Sequence, residues 1–447
     1  MDNPGSMPHS STSDFAPPAA PPAAFAPELP APWRRFRGLA PFLRMSIAGE
    51  DLRPLAQALL AQVDRSPDDA TLWLNLSLVM QCLEQHDLGL AMQAQALQLQ
   101  RVYRIAATCA PPTRRLLMLM VPGDLAANTP LDCLLEESDI ELIFYYLGSA
   151  EQPFVAPIPA HDAVLVALGD SDANAPLLAA LEQALAHWGR PVLNAPALIP
   201  ATRRDRLSAL LQGAPGVSMP AIVQVQRSKL AEVAAQRAQA ATLFADCAFP
   251  LIVRPVGSQA GRDLARVTQP RELAEYLARV PEPAFFVAPF IDYRSADGLY
   301  RKFRIAMVDG RPYVSHMAAS AHWMVHYVNA GMYEDAAKRA EEARFMDDFD
   351  AFCARHQAAF AAIQERLALD YYCMDAAQAA DGRLLIFEID HIMVVHAMDS
   401  EALFPFKQRH MARLRTAVRD LLLRRTGAQP GAALSAPPDS SVPPSQP

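Results

Sequence analysis

Residues 369–399 read LDYYCMDAAQAADGRLLIFEIDHIMVVHAMD. Asp381-Gly382 is a two-residue hairpin signal between apolar runs, because glycine accepts the positive φ that such turns require. The spacing predicts two paired strands, one carrying Asp375 and the other Glu388 and Asp390. Residues i and i+2 on a strand share a face, so Glu388 and Asp390 project together and the turn brings Asp375 alongside. Three carboxylates in so apolar a setting repel one another and resist desolvation unless cations neutralise them. All-oxygen donors of this kind select Mg²⁺ or Mn²⁺. A solvated strand face of alternating charge would give the same letters, but the apolar flanks count against it.

Two stretches upstream bear on the same site. FPLIVRPVGSQAGRDLARV (249–267) predicts strand, loop and strand, with Arg254 closing the first strand and Gly257, Ser258, Gln259 and Gly261 in the loop. A cation beside a glycine-bearing loop suits a phosphate, although many hairpins share those features. FFVAPFID (285–292) predicts a buried strand, and YRKFRIAMVDGRPYVSHMA (300–318) a hairpin turning at Asp309-Gly310. Alternation puts Lys302 and Arg304 on one strand face, where they clamp a phosphoryl group or a carboxylate, or else guard an exposed edge.

Nearer the N-terminus, RRLLMLMVP (114–122), IELIFYYLG (140–148) and DAVLVALGDSD (162–172) alternate with helical stretches at 130–137 and 175–188. Apolar strands separated by helices predict a parallel sheet covered on both faces, with its ligand edge at the strands' C-terminal ends. Asp170 and Asp172 lie at that edge as candidate substrate contacts, or as caps of the following helix. From about 42 to 107 the period is helical. Trp73, Leu76, Ser77 and Met80, then Ala91, Ala96 and Leu97, resemble a tetratricopeptide helical hairpin, which offers a protein partner a surface. One repeat falls short of the about three that a solenoid needs, so a plain hairpin docked on the next domain explains it equally.

Composition narrows the function class. The chain has 447 residues, 40 basic and 48 acidic, with the basic ones scattered rather than blocked. Neither nucleic acid nor an anionic membrane is implied. Six cysteines lie far apart with no CxxC pair, which predicts buried thiols in a reducing compartment. Apolar runs fall short of a membrane span, and Asp2 and Asp14 interrupt any secretory signal, so a cytoplasmic location is expected. Of the 39 prolines, nine fall in residues 1–32 and six in 427–447, marking both ends as disordered tails.

Taken in order, Arg254 with its loop, the Lys302–Arg304 strand and the Asp375–Asp390 hairpin resemble the ATP-grasp superfamily of carboxylate-amine ligases. The likeness covers about residues 113–423, and DAAQAADGRLLIFEID (375–390) matches that family's metal-binding hairpin, with Asp390 where an asparagine is usual. It implies an α/β (α+β) fold divided into a tail (1–33), a helical region (34–110), a parallel α/β domain (111–200), an ATP-grasp domain of two lobes (201–291 and 292–426) and a second tail (427–447). It also implies ATP and Mg²⁺ (or Mn²⁺) as cofactors, with Asp375, Glu388 and Asp390 as metal ligands. Arg254 and Arg206 stand where phosphate-binding lysines are usual, and the 257–261 loop stands for the flap over the phosphates. Val287, Ala288, Phe290 and Ile291 match the hinge that meets adenine. Arg304, aided by Lys302, becomes the stabiliser of the transferring group, because the arginine often found before the first metal-binding aspartate is replaced by Tyr372-Cys373-Met374.

The activity so implied joins a small-molecule or peptide carboxylate to an amine through an acyl phosphate, releasing ADP and phosphate. A nucleotide-binding scaffold without turnover and an ATP-grasp small-molecule kinase are the other readings. His316, His322, His326, His391 and His396 crowd the same region as site lining or as satisfied structural histidines. His322 and His326 would share a helical face if that segment is helical, and Asn329 is a further substrate candidate.

Overall fold

The computed structural model describes residues 29–245, 247–258 and 261–427. Gln259 and nearly all of the two tails lie outside the described residues.

Three sheets organise the chain. The first contains β1 (Val102–Ile105), β2 (Arg114–Met120), β3 (Ile140–Tyr146), β4 (Ala163–Val166) and β5 (Val192–Leu193) in the order β1-β3-β2-β4-β5. β2 to β5 are parallel, and β1, which falls in the 42–107 stretch expected to be helical and ahead of the boundary expected at 111, is instead an antiparallel edge strand of this sheet. The second contains β7 (Val223–Gln226), β8 (Leu251–Pro255), β9 (Ala265–Val267) and β10 (Ala284–Pro289), all antiparallel, in the order β7-β10-β8-β9. The third contains β6 (Val217–Ser218), β11 (Tyr300–Val308), β12 (Arg311–Ser320), β13 (Tyr371–Gln378) and β14 (Leu384–Asp390), in the order β12-β11-β13-β14-β6. Its two hairpins turn at the expected pairs: Asp309 and Gly310 have φ of 51° and 75°, and Gly382 has φ of 83°.

The third sheet divides its two faces sharply. Phe303, Ile305 and Met307 of β11, and Tyr372, Met374 and Ala376 of β13, enter one core with Leu117, Leu119, Val164 and Val166 of the first sheet. On the opposite face, Ala306, Val308, Tyr371 and Cys373 join a core that contains Leu116 and Met118 and the final helix Lys407–Arg425. Tyr300, Ala318, Ala377 and Leu385 form a third cluster further along that same face. Between those two clusters lie the polar side chains of β11 to β14. The second sheet keeps its own core around Val253, Leu273 and Phe285.

The N-terminal helices Arg53–Arg65, Ala70–Cys82 and His86–Leu99 pack side by side. Gly89 permits the close approach: a Cβ there would lie 2.5 Å from Gln81 Cγ and 3.0 Å from the Ser77 carbonyl oxygen. Leu74, Ala96 and Leu97 share a core with Leu116, Met118 and Met120, so this hairpin is docked on the first sheet. Asp132, buried, accepts the backbone N–H of Leu39 at 2.5 Å and of Ala40 at 3.2 Å, which pins the start of helix Ala40–Ile47 to the same domain. Leu29 is already buried in the helical core, ahead of the boundary expected at 34. The cysteines are unpaired. Cys133, Cys247 and Cys373 are buried, while Cys109 is exposed, contrary to the expectation of uniformly buried thiols.

Candidate functional site

The site is a row of polar and charged side chains laid across four strands. Arg304 of β11 sits opposite His316 of β12 and Asp375 of β13, and Asp375 sits opposite Glu388 of β14. Register places Glu388 in that row only because Phe387 is extra. Ala376 pairs with Ile386 and Asp375 with Glu388, so β14 carries a bulge there. Ile386 and Ile389 both enter the core beneath the sheet. Unbroken alternation from Ile386 would have sent Glu388 into that core and Ile389 out of it.

Asp375 is buried and fully engaged. Lys302 Nζ lies 2.9 Å from its Oδ2, and Arg304 donates from Nε to Oδ1 at 2.8 Å and from Nη2 to Oδ2 at 3.0 Å. Burial pushes this carboxyl up, but Arg304 and Lys302 more than reverse it and hold it far below the usual carboxylate range. Arg304 also donates from Nη1 to the Val394 carbonyl at 3.1 Å. Glu388 pairs with Arg204. Burial raises Glu388 and Asp375 adds to that, while Arg204, Arg254 and Lys302 pull it down to a net value below its ordinary one. Asp390 keeps its side chain about as exposed as that of Glu388, 25% against 27%, whereas Asp375 has 3%.

The sequence predicts divalent cations as the neutralising charge for these carboxylates. The charges that face Asp375 and Glu388 are instead Lys302, Arg304 and Arg204, and among the described residues no group of three His, Cys, Asp or Glu is placed to hold a metal ion. Glu388 and Asp390 still fit a magnesium ion, which is ordinarily held by one or two carboxylates together with substrate phosphates.

Arg254, 8% exposed, bonds Ser258 Oγ at 3.2 Å, and burial, then repulsion from Arg204, lowers its guanidinium to about 10. The arginine closing β8 thus organises the loop that follows. Gly257 and Gly261 both have positive φ. At Gly261 an added Cβ would run into His326 Nε2 and stand 3.1 Å from Cε1, so the loop's far end rests on His326. His326 is half-buried, and burial followed by the Lys302 charge keeps its imidazole below its ordinary pKa.

The other expected residues spread around this row. Arg206 is exposed and acts electrostatically on Asp170, while Arg204, two residues earlier in RRDR, is the one that reaches Glu388. Sequence reasoning missed Arg204 because both lie on the same short helix, Arg204–Leu211, and only the packing decides which one faces β14. Asp170 is half-buried and raised by burial, with Arg206 and Arg203 opposing and the nearby Asp390 adding to the rise. His391 Nε2 lies 3.0 Å from the Leu168 carbonyl oxygen, so the C-terminal edge of β4 abuts the end of β14. Asp172 pairs with Arg203 at 2.8 Å and makes no side-chain cap to helix Ala175–Leu185, which removes the capping alternative.

Val287 and Ala288 are buried in β10, and Phe290 and Ile291 follow it, with the Arg266 guanidinium 4.1 Å from the Phe290 ring centroid. Asp292 is engaged by Arg294. The segment 321–326 is not helical, so His322 and His326 share no helical face. His322 is exposed, and Asn329 Oδ1 accepts the His326 backbone N–H at 3.1 Å, stabilising a turn.

A second buried polar group went unnoticed in sequence. Lys407, 2% exposed, lies 2.9 Å from Asp399 Oδ2, 3.3 Å from Glu342 Oε1 and 2.5 Å from Tyr327 Oη, and Tyr327 donates to Glu342 Oε2 at 2.8 Å. No sequence signal joins these residues, which come from the final helix, two loops and helix Ala336–Asp347. Together they fasten the segment carrying His326.

No protein-family model matches the chain, and no curated protein sequence does. Among solved structures, D-alanyl-alanine synthetase A from Vibrio cholerae is similar over 71% of this chain and 99% of its own, at 12% identity and a TM-score of 0.44. A RimK domain ATP-grasp protein from Sphaerobacter thermophilus is similar over 69% and 99%, at 17% identity and a TM-score of 0.39. The ATP-grasp ligase PsnB, determined with precursor peptide PsnA2 and AMPPNP, is similar over 71% and 99%, at 16% identity and a TM-score of 0.37.

Proposed function

We propose that this chain is an ATP- and Mg²⁺-dependent carboxylate-amine ligase of the ATP-grasp kind. The observation that carries it is the row His316, Arg304, Asp375 and Glu388, flanked by Lys302 and Arg204, with Gly261 set against His326, which feels the charges of the row. Phosphoryl transfer requires positioning and charge neutralisation rather than a protein nucleophile, and this row offers cations and carboxylates. The triphosphate lies between Arg254 with its loop and Arg204. Lys302 and Arg304 face the transferring phosphoryl group, and adenine meets the backbone of Val287 to Ile291. Bound Mg²⁺ on Glu388 and Asp390 would offset phosphate charge.

A substrate carboxylate oxygen attacks the γ-phosphorus, the bond to ADP breaks with its electron pair, and an acyl phosphate forms. The amine lone pair then attacks the acyl carbon, phosphate departs with the C–O electron pair, and the amine proton is lost. Arg304 and Lys302 hold the phosphoryl oxygens through both steps. The acceptor is an amino acid, a peptide or a carrier protein. The helical hairpin, docked on the first sheet, is available to a protein partner.

The test is a screen of amino acids, small peptides and carrier proteins for substrate-dependent ADP release, with mass analysis of the product. A ligase product lacks phosphate. A phosphorylated product would make the chain a kinase, and ATP binding without ADP release on any substrate would make it a nucleotide-binding scaffold.

A further inference from the structure

Asp375 differs from the two other carboxylates of its hairpin in what surrounds it. Both its oxygens accept charge-assisted bonds, from Lys302 at 2.9 Å and from Arg304 at 2.8 and 3.0 Å. Glu388 and Asp390 are about a quarter exposed, whereas the Asp375 side chain is 3% exposed. Any dication brought to Asp375 would have to displace two cations already held in bidentate and point-charge contact and would then lie beside them. Without Asp375, Lys302 would be free to turn and Arg304 would keep only its bond to the Val394 carbonyl. Lysine and arginine side chains lose rotamer freedom only when a partner fixes them, and a planar guanidinium gripped along one edge presents its remaining N–H groups in a fixed direction.

We propose, building on the nucleotide reading above, that Asp375 is a positioning residue rather than a metal ligand. It locks Lys302 and Arg304 into one cationic clamp on the sheet face, and the divalent cation rests on Glu388 and Asp390 with the nucleotide phosphates. Arg304 is doubly held, by Asp375 and by the Val394 carbonyl, so the clamp has one rigid arm and one point charge.

The test compares wild type, E388Q and the charge-balanced double variant D375N/K302M, all as full-length chain. Mn²⁺ affinity is read by electron paramagnetic resonance of the free ion at a concentration of a non-hydrolysable ATP analogue shown by titration to saturate each variant, because Lys302 also faces the phosphates. E388Q is expected to weaken Mn²⁺ on the order of tenfold or more, and D375N/K302M to change it by less than about threefold. An equal loss in both folded variants would make Asp375 a ligand and overturn the proposal. A wild type that binds the analogue but no Mn²⁺ would overturn the assignment of the metal to Glu388 and Asp390. A wild type that binds neither would sink the nucleotide reading itself.

A second measurement reads the clamp directly. Lys302 labelling by an amine reagent, followed by mass spectrometry, should rise at least about fivefold in D375N while Lys229, Lys338 and Lys407 stay unchanged as internal controls. A general loss of packing would raise the buried Lys407 as well. Unchanged Lys302 labelling in folded D375N would show that Asp375 does not hold it.

Discussion

Gly261 leaves no room for a side chain against His326: with φ of 73°, any Cβ there would run into the imidazole Nε2. The end of the glycine-bearing loop therefore rests on His326, whose imidazole also feels the Lys302 and Asp375 charges. Gly261→Ala combines a clash with a backbone conformation that L-residues avoid, together costing more than about 1 kcal/mol. Affinity for an ATP analogue should fall by roughly tenfold, which isothermal titration would measure. His326→Ala added to Gly261→Ala should recover the steric part. A double variant no better than the single would show that the contact is not what limits the loop.

Arg204 and Arg206 lie two residues apart on one short helix, yet only Arg204 pairs with Glu388. Arg204→Ala should raise the Glu388 carboxyl and weaken nucleotide binding. Arg206→Ala should leave binding within a factor of about five, since exposed ion pairs contribute about 0–1 kcal/mol. Equal losses in the two variants would restore Arg206 as the phosphate-side cation.

The Lys407 network is structural in its geometry. Lys407→Met leaves Glu342 and Asp399 buried without their cation, a change that typically costs about 3–5 kcal/mol. The urea midpoint should drop markedly. Glu342→Gln, which keeps a hydrogen-bonding side chain, should cost less, and the reverse order would contradict the network as described.

Burial, opposed by Asp399 and reinforced by Lys407 and Arg304, brings His396 down to about 4. His316 is also held well below its ordinary value, by burial, Arg304 and Lys407. An unfolded histidine titrates near 6.5, so between about 6.5 and 4 the unfolded chain binds more protons than the folded one. Stability from these groups is complete above about pH 6.5 and is lost as pH falls, with a slope of up to about 1.4 kcal/mol per pH unit for each proton. His396→Asn should flatten that fall in a series of urea titrations. An unchanged slope would mean that His396 takes no part.

What the sequence determines here is local. Apolar runs at 114–122, 140–148 and 162–172 already mark buried parallel strands, because a strand covered on both faces has no need of alternation. Asp309-Gly310 and Asp381-Gly382 mark two hairpins, because tight turns need positive φ. Lys302 and Arg304 share the Asp375 face for the same period-two reason. Residues whose partners are distant in sequence carry no such signature. Helical periodicity cannot say that Arg204 rather than Arg206 meets β14, nor can spacing reveal that Asp399, Glu342 and Lys407 converge.

The bulge at Phe387 shows the division most plainly. The letters of LLIFEID give Glu388 and Asp390 one shared face, but which face depends on pairing with β13 and on where Ile386 and Ile389 find a core. Tertiary packing inserts one unpaired residue, and that single step of register carries Glu388 out of the apolar interior and onto the charged row.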